Sequence, residues 1–175
     1  MTSTDLIILA LLMEAPGHGY DLKKRLERLT AGTFALNDKL LYPALRRFAE
    51  DDLVTSELQT EGSAPPRRVF AITDDGREAF YDALEAFSEA DARNTHEFQV
   101  RFLLFKYLAP RTRLAIIARR QAALEQSLQR MVGGAIPAAL SELAKRYGQR
   151  LVDLAQRQTE AELVWLDEQR RMESS

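Results

Sequence analysis

A chain of 175 residues with 24 Lys/Arg, 26 Asp/Glu and a net charge of −2 has room for one domain and a second, smaller unit. The charge balance excludes a generic cationic coat for nucleic acid. The absence of cysteine excludes a disulfide framework and a thiolate metal site.

Thr4 to Met13 is expected to form the first helix. Its apolar run Leu6–Met13, framed by Asp5 and Glu14, is far short of the roughly 20 residues of a membrane span and has no basic leader. A buried helix in a soluble, cytoplasmic protein without a membrane partner is therefore expected. Pro16, Gly17 and Gly19 then break the chain. A second helix runs from Tyr20 to Leu29, with Leu22, Leu26 and Leu29 on one stripe and Lys23, Lys24, Arg25 and Arg28 on its other sides. Such a cluster is often only a solvated face, but Lys23, Lys24 and Arg28 are also candidates for phosphate contacts.

The stretch 40–48, Leu-Leu-Tyr-Pro-Ala-Leu-Arg-Arg-Phe, organises this half of the chain. Leu41, Leu45 and Phe48 recur at i, i+4 and i+7 and must be buried, which turns Lys39, Tyr42, Pro43, Arg46 and Arg47 outward. Asn37 or Asp38 can cap the first turn, where Pro43 is tolerated. A strand over 53–59, a turn over 60–66 containing Gly62, Pro65 and Pro66, and a return strand over 67–72 opening on Arg67 and Arg68 follow. Thr73 is a good N-cap for the next helix, with Asp74 and Asp75 at its positive end. A short helix followed by a β-hairpin with paired arginines is the pattern of a winged helix-turn-helix, whose recognition helix enters the major groove of DNA. Residues 1–75 nevertheless hold nine Lys/Arg against twelve Asp/Glu, a net of −3. Any attraction for phosphate must come from the face the cations share, because salt screens beyond roughly 10 Å.

The motifs Gly19-Tyr20-Asp21-Leu22, Leu41-Tyr42-Pro43-Ala44-Leu45 and 67–76 (Arg-Arg-Val-Phe-Ala-Ile-Thr-Asp-Asp-Gly) resemble the PadR family of bacterial transcriptional regulators. The resemblance covers roughly residues 5–85 and implies a winged helix-turn-helix, a homodimer and, usually, repression of nearby genes. Members usually carry glycine where Lys39 stands, a small polar residue at Leu40, and Glu-Gly-Leu-Ile at Asp51-Asp52-Leu53-Val54. The DNA-binding set expected here is Lys23, Lys24, Arg28, Asn37, Lys39, Leu40, Tyr42, Arg46, Arg67 and Arg68. Lys39, Tyr42 and Arg46 are assigned to the major groove, with Asn37 and Leu40 at its entrance.

The second half, 86–175, is expected to be a helical dimerisation and effector domain beside the DNA-binding domain of 1–85. From Arg77 to Leu108 the chain is helical, with a turn near 92–95 capped by Asn94 or Thr95. Phe98, Phe102 and Phe105 share a face. A long helix, 111–132, carries Leu114, Ile117, Gln121, Leu124, Leu128 and Met131 at heptad-like steps, and the residues from Gly133 to Pro137 make a hinge. The last helix repeats Leu140, Ala144, Tyr147, Leu151, Leu154, Gln158, Ala161 and Trp165 in the same manner. These two helices form an antiparallel hairpin, with Leu114, Ile117, Leu124, Leu128, Leu151, Leu154 and Trp165 as dimerisation candidates. The last helix also resembles the C-terminal domain of the virulence-activator type of PadR protein.

Phe98, Phe102, Tyr147 and Trp165 could line a pocket for a small aromatic effector, although aromatics at helical spacing are more often core. His18 and His96 are not in metal-ligand spacing, and no phosphate loop, nucleophile elbow or His-Glu metal helix is present. Neither an enzyme, a cofactor nor a metal is expected. The fold class is mainly α with a two-stranded β wing. The function is a homodimeric, ligand-responsive repressor binding double-stranded DNA. The alternatives are a winged-helix protein-interaction module and a small-molecule-binding protein without DNA readout.

Overall fold

The computed structural model describes residues 1–60, 67–134 and 141–174, and divides into two compact units, Met1–Ala86 and Phe87–Ser175. The first unit is a winged helix-turn-helix. Helix α1 (Ser3–Glu14) begins with a capping box: Thr2 Oγ1 accepts from the Asp5 amide while the Asp5 carboxylate accepts from the Thr2 amide. Residues Leu6 to Leu12 are buried all round the helix, so α1 is the core against which α2, α3, α4 and β2 pack.

Helix α2 (Gly19–Thr30) buries Leu22 and Leu26. Leu29, expected on the same stripe, lies two-thirds exposed in the last turn, because the buried contact of α2 ends at Leu26. Helix α3 (Asp38–Glu50) is capped by Asn37, whose Oδ1 accepts from the Lys39 amide at 2.9 Å. Leu41, Leu45 and Phe48 are buried as their spacing predicts, together with Ala44. The helix ends in a 6→1 bond from the Leu53 amide to the Phe48 carbonyl at 2.8 Å, with Asp52 at φ +55° in the left-handed region.

Strands β1 (Val54–Gln59) and β2 (Arg67–Ile72) pair antiparallel in the register Val54↔Ile72 to Gln59↔Arg67. The expected turn between them falls on 61–66, outside the described residues. Gly17, in the break before α2, exchanges both backbone hydrogen bonds with Phe70 at 3.0 Å, two rungs that bridge β2 on the side away from β1. Thr73 caps α4 (Asp74–Glu85) by accepting from the Gly76 amide, and its hydroxyl donates to the Asp52 carbonyl at 2.8 Å. Gly76 is obligatory, since a Cβ there would lie 2.0 Å from the Leu53 carbonyl oxygen.

The second unit is helical. A short α5 (Glu89–Arg93) is followed by α6 (Thr95–Leu103), which Asn94 caps through bonds from the His96 and Glu97 amides. A 3-10 turn (Phe105–Tyr107) precedes α7 (Pro110–Gly133), and α8 (Glu142–Glu173) runs back along α7. The antiparallel sense is fixed by Arg113 to Glu173 and Arg120 to Glu162. Much of the expected hinge, and Leu140, lie outside the described residues.

The seam between α7 and α8 differs from the expected one. Ile116, Ile117, Arg120, Gln121 and Leu124 are buried on α7, and Thr159 and Leu166 on α8. The expected stripe Ala144, Tyr147, Leu151, Leu154, Gln158, Ala161 is instead exposed. The heptad pattern of α8 thus marks an outer face, and the inner face is polar enough to hide from hydropathy. Among the described residues no helix is long and apolar enough to cross a membrane.

Candidate nucleic-acid interface

The first turn of α2, the outer face of α3 and the wing strands surround one cleft of about 940 Å³. His18, Tyr20 and Asp21 line it from α2, Tyr42, Arg46 and Glu50 from α3, and Ser56, Arg67, Arg68 and Phe70 from the hairpin. Three guanidinium groups thus converge against two carboxylates, a local cationic excess that the net charge of the half-chain conceals. Gly19 lets α2 and α3 approach this closely: a Cβ at that position would meet the Tyr42 ring at 2.8 Å.

The wing is held in register with α2. His18 Nδ1 lies 3.1 Å from the Arg68 carbonyl oxygen, and Arg68 Nη1 donates to Ser56 Oγ at 2.8 Å. Arg25 donates to the Ala15 and Pro16 carbonyls at 2.7 and 2.8 Å, closing the turn before α2 rather than facing outward. Arg47 donates to the buried Asp5 carboxylate and ties α3 to α1. These two arginines are structural, which leaves Arg46 as the outward guanidinium of α3.

The residues expected to meet DNA fall into three groups. Tyr42, Arg46, Arg67 and Arg68 come together at the cleft. Lys39 and Leu40 are exposed at the leading end of α3, beside the capping Asn37. Lys24, whose Nζ sits 4.5 Å from the Tyr20 ring centroid, and Arg28 are exposed on α2. Lys23 is engaged by Asp38 at 2.8 Å, and this hydrogen bond, opposed by slight desolvation, raises its pKa above the ordinary 10.5. His18 and Tyr20 are lining residues that the sequence did not single out. Their signal was position, since both stand beside Gly19 in the motif that holds α2 to α3.

Residues 8–82 match the Transcriptional regulator PadR-like family. Over this segment, which is the winged helix-turn-helix unit, the chain is PadR-like. Among solved structures it is similar to a transcriptional regulator from Clostridium thermocellum, at 27% identity over 46% of this chain and 78% of that one, with a TM-score of 0.43. A protein from Thermoplasma acidophilum described as a transcriptional regulator shares 32% identity over 45% and 72%, TM-score 0.39. PadR of Bacillus subtilis in complex with operator DNA shares 18% identity over 98% of both chains, TM-score 0.48. No curated protein matches the chain.

In this PadR-like chain the expected aromatic effector set is not one site. The Trp165 ring packs edge-on against Phe102 at 4.7 Å and Phe98 at 6.4 Å, and those two rings are tilted against each other. Tyr147 stands 18 residues before Trp165 on the same helix, about 27 Å away at 1.5 Å per residue, between Arg146 and Arg150. Phe98 is core, Phe102 is half-buried, Trp165 covers them from the rim at 36% exposure, and Tyr147 is surface. The dimerisation set also divides. Ile117 and Leu124 are buried inside the unit, Leu114 and Leu128 are half-buried, and Trp165 lies against Phe98 and Phe102. Leu151 and Leu154, at 66% and 52% exposure, face outward.

Glu162 on α8 accepts from Arg120, which is 1% exposed and also donates to the Ala92 carbonyl and Thr95 Oγ1. Beside this pair a cleft of about 410 Å³ is lined by Arg93, Arg120, Arg130, Ser127, Gln158 and Glu162, among others.

Proposed function

We propose that this chain is a sequence-specific DNA-binding transcriptional regulator that acts as a homodimeric, ligand-responsive repressor. The observation that carries the DNA reading is the convergence of Tyr42, Arg46, Arg67 and Arg68 on one cleft between recognition helix and wing. In this reading α3 lies in the major groove, with Lys39, Leu40 and Tyr42 toward the bases. Arg46, expected from the sequence at the bases, lines the cleft with Arg67 and Arg68 and is reassigned with them, Lys24 and Arg28 to phosphates. Lys23 serves only when a phosphate displaces Asp38.

Dimerisation is supported by the exposed apolar stripe Leu143, Tyr147, Leu151 and Leu154 on α8, at steps of four, four and three residues. A second copy of the same helix is its proposed occupant, which sets two recognition helices against half-sites about 34–36 Å apart. Ligand response is assigned to the arginine-lined cleft beside Glu162 and not to the aromatic cluster, which is filled by its own rings. Arg120 is met by Glu162 and Arg93 by Glu89, and Arg130 adds a third guanidinium to the lining, which favours a small organic anion.

The test is fluorescence anisotropy of the purified chain on the DNA upstream of its own gene, at several salt concentrations. Specific binding that weakens steeply with salt is expected, and Arg46→Ala should lower the salt slope by about one. Binding no tighter than to random duplex, there and in a selection from random DNA, would sink the regulator reading.

A further inference from the structure

Resting on α3 as the base-reading helix, we infer that Leu40 selects a pyrimidine bearing a C5-methyl group, which is thymine in unmodified DNA, at one position of each half-site. In the leading turn of α3, Asn37 has its side-chain oxygen occupied by the Lys39 amide, and Asp38 is held by Lys23 at 2.8 Å. The Asn37 amide oxygen and one Asp38 oxygen are therefore engaged, and Leu40 itself brings no acceptor. Leu40 projects from the same turn at 57% exposure, and Pro43, three residues on and on the same face, is also exposed.

Beside the exposed Lys39, the leading end of the outer face of α3 thus presents the apolar pair Leu40 and Pro43, while its trailing end is cationic, where Arg46 lines the wing cleft. The trailing end suits phosphate. The leading end suits the one apolar group that a base pair displays in the major groove, the thymine methyl. Leucine there gains by removing apolar area from water against that methyl. Opposite a cytosine it would cover the N4 amino group without offering an acceptor, which is unfavourable. Leu40 is thereby a specificity residue that acts by rejection as much as by contact.

The experiment uses the full-length protein and a preferred duplex selected from random DNA. Each thymine is replaced singly by deoxyuridine, which removes only the methyl group, and affinity is read by anisotropy. For the unaltered protein, one position per half-site is expected to weaken binding about fourfold, the scale of one buried methyl group. Leu40→Ala is expected to bind both duplexes alike at that position. Leu29→Ala, which trims another exposed leucine, keeps the original pattern. The inference is overturned if no position responds to deoxyuridine, or if the response survives in Leu40→Ala. Loss of the response only in Pro43→Ala overturns it too, by moving the methyl contact to the proline. If selection returns no preferred sequence, the regulator reading itself falls, an outcome distinct from a preferred duplex whose thymine methyls go unread.

Discussion

Arg120 and Glu162 meet through two parallel hydrogen bonds, Nε to Oε1 at 2.7 Å and Nη2 to Oε2 at 2.9 Å, between α7 and α8. Both prongs of the guanidinium are used, and its remaining bonds reach the end of α5 and the start of α6. Breaking a buried pair leaves an uncompensated charge, so Glu162→Gln should lose roughly 3 kcal/mol. Replacing both partners, Arg120→Met with Glu162→Leu, should recover most of that loss. Urea denaturation followed by circular dichroism gives both numbers, and equal losses for the single and double variants would count against the pair.

Asp52 holds φ +55° to complete the end of α3, a conformation that disfavours a side chain. Asp52→Gly is expected to raise stability by about 0.5–1 kcal/mol. Gly76→Ala goes the other way, because its Cβ would drive into the Leu53 carbonyl, with a loss of about 3 kcal/mol. Thermal unfolding of the two variants should show shifts of opposite sign.

On the proposed reading, Asp38 would compete with a DNA phosphate for Lys23. Asp38→Asn is expected to tighten operator binding about five- to tenfold near 0.1 M salt and to steepen the salt slope by about one phosphate. The pair is insensitive to pH in the neutral range. Its folded-state lysine pKa is raised above 10.5, so its contribution is complete below that value and is lost as pH rises through the raised one. Operator titrations at pH 6 to 9 should therefore show no step attributable to Lys23.

Leu151→Asp and Leu154→Asp place charge on the stripe assigned to a second copy. Each should shift the protein toward monomer in sedimentation velocity while leaving its helical circular dichroism unchanged. Ile117→Asp, by contrast, attacks the interior of the unit and should unfold it. A dimer that survives both exterior substitutions would place the subunit contact elsewhere.

The winged unit was legible in the sequence because its signals were local and redundant. The i, i+4, i+7 stripe of Leu41, Leu45 and Phe48 fixed which side of α3 faced in, and Thr73 fixed where α4 began. What escaped was pairing at a distance. Nothing in composition distinguishes Arg25, which closes a turn, or Arg47, which reaches Asp5, from Arg46, which lines the cleft. The helical unit was harder for a different reason. Its α8 carries two candidate faces, and the more apolar one through Tyr147 and Leu151 points outward. The buried face gains its place through Arg120 with Glu162 and Gln121 with Asp167, partners 42 and 46 positions apart.

The two rungs between Gly17 and Phe70 give the wing a mechanical property that the hairpin alone would lack. A two-stranded ribbon is a soft cantilever, marginal by itself in water. Riveted at its root to the loop before α2, it becomes a stiff lever whose tilt is transmitted to the first turn of that helix. Tyr20 and Arg68 then travel together, so a displacement at one rim of the cleft is felt at the other.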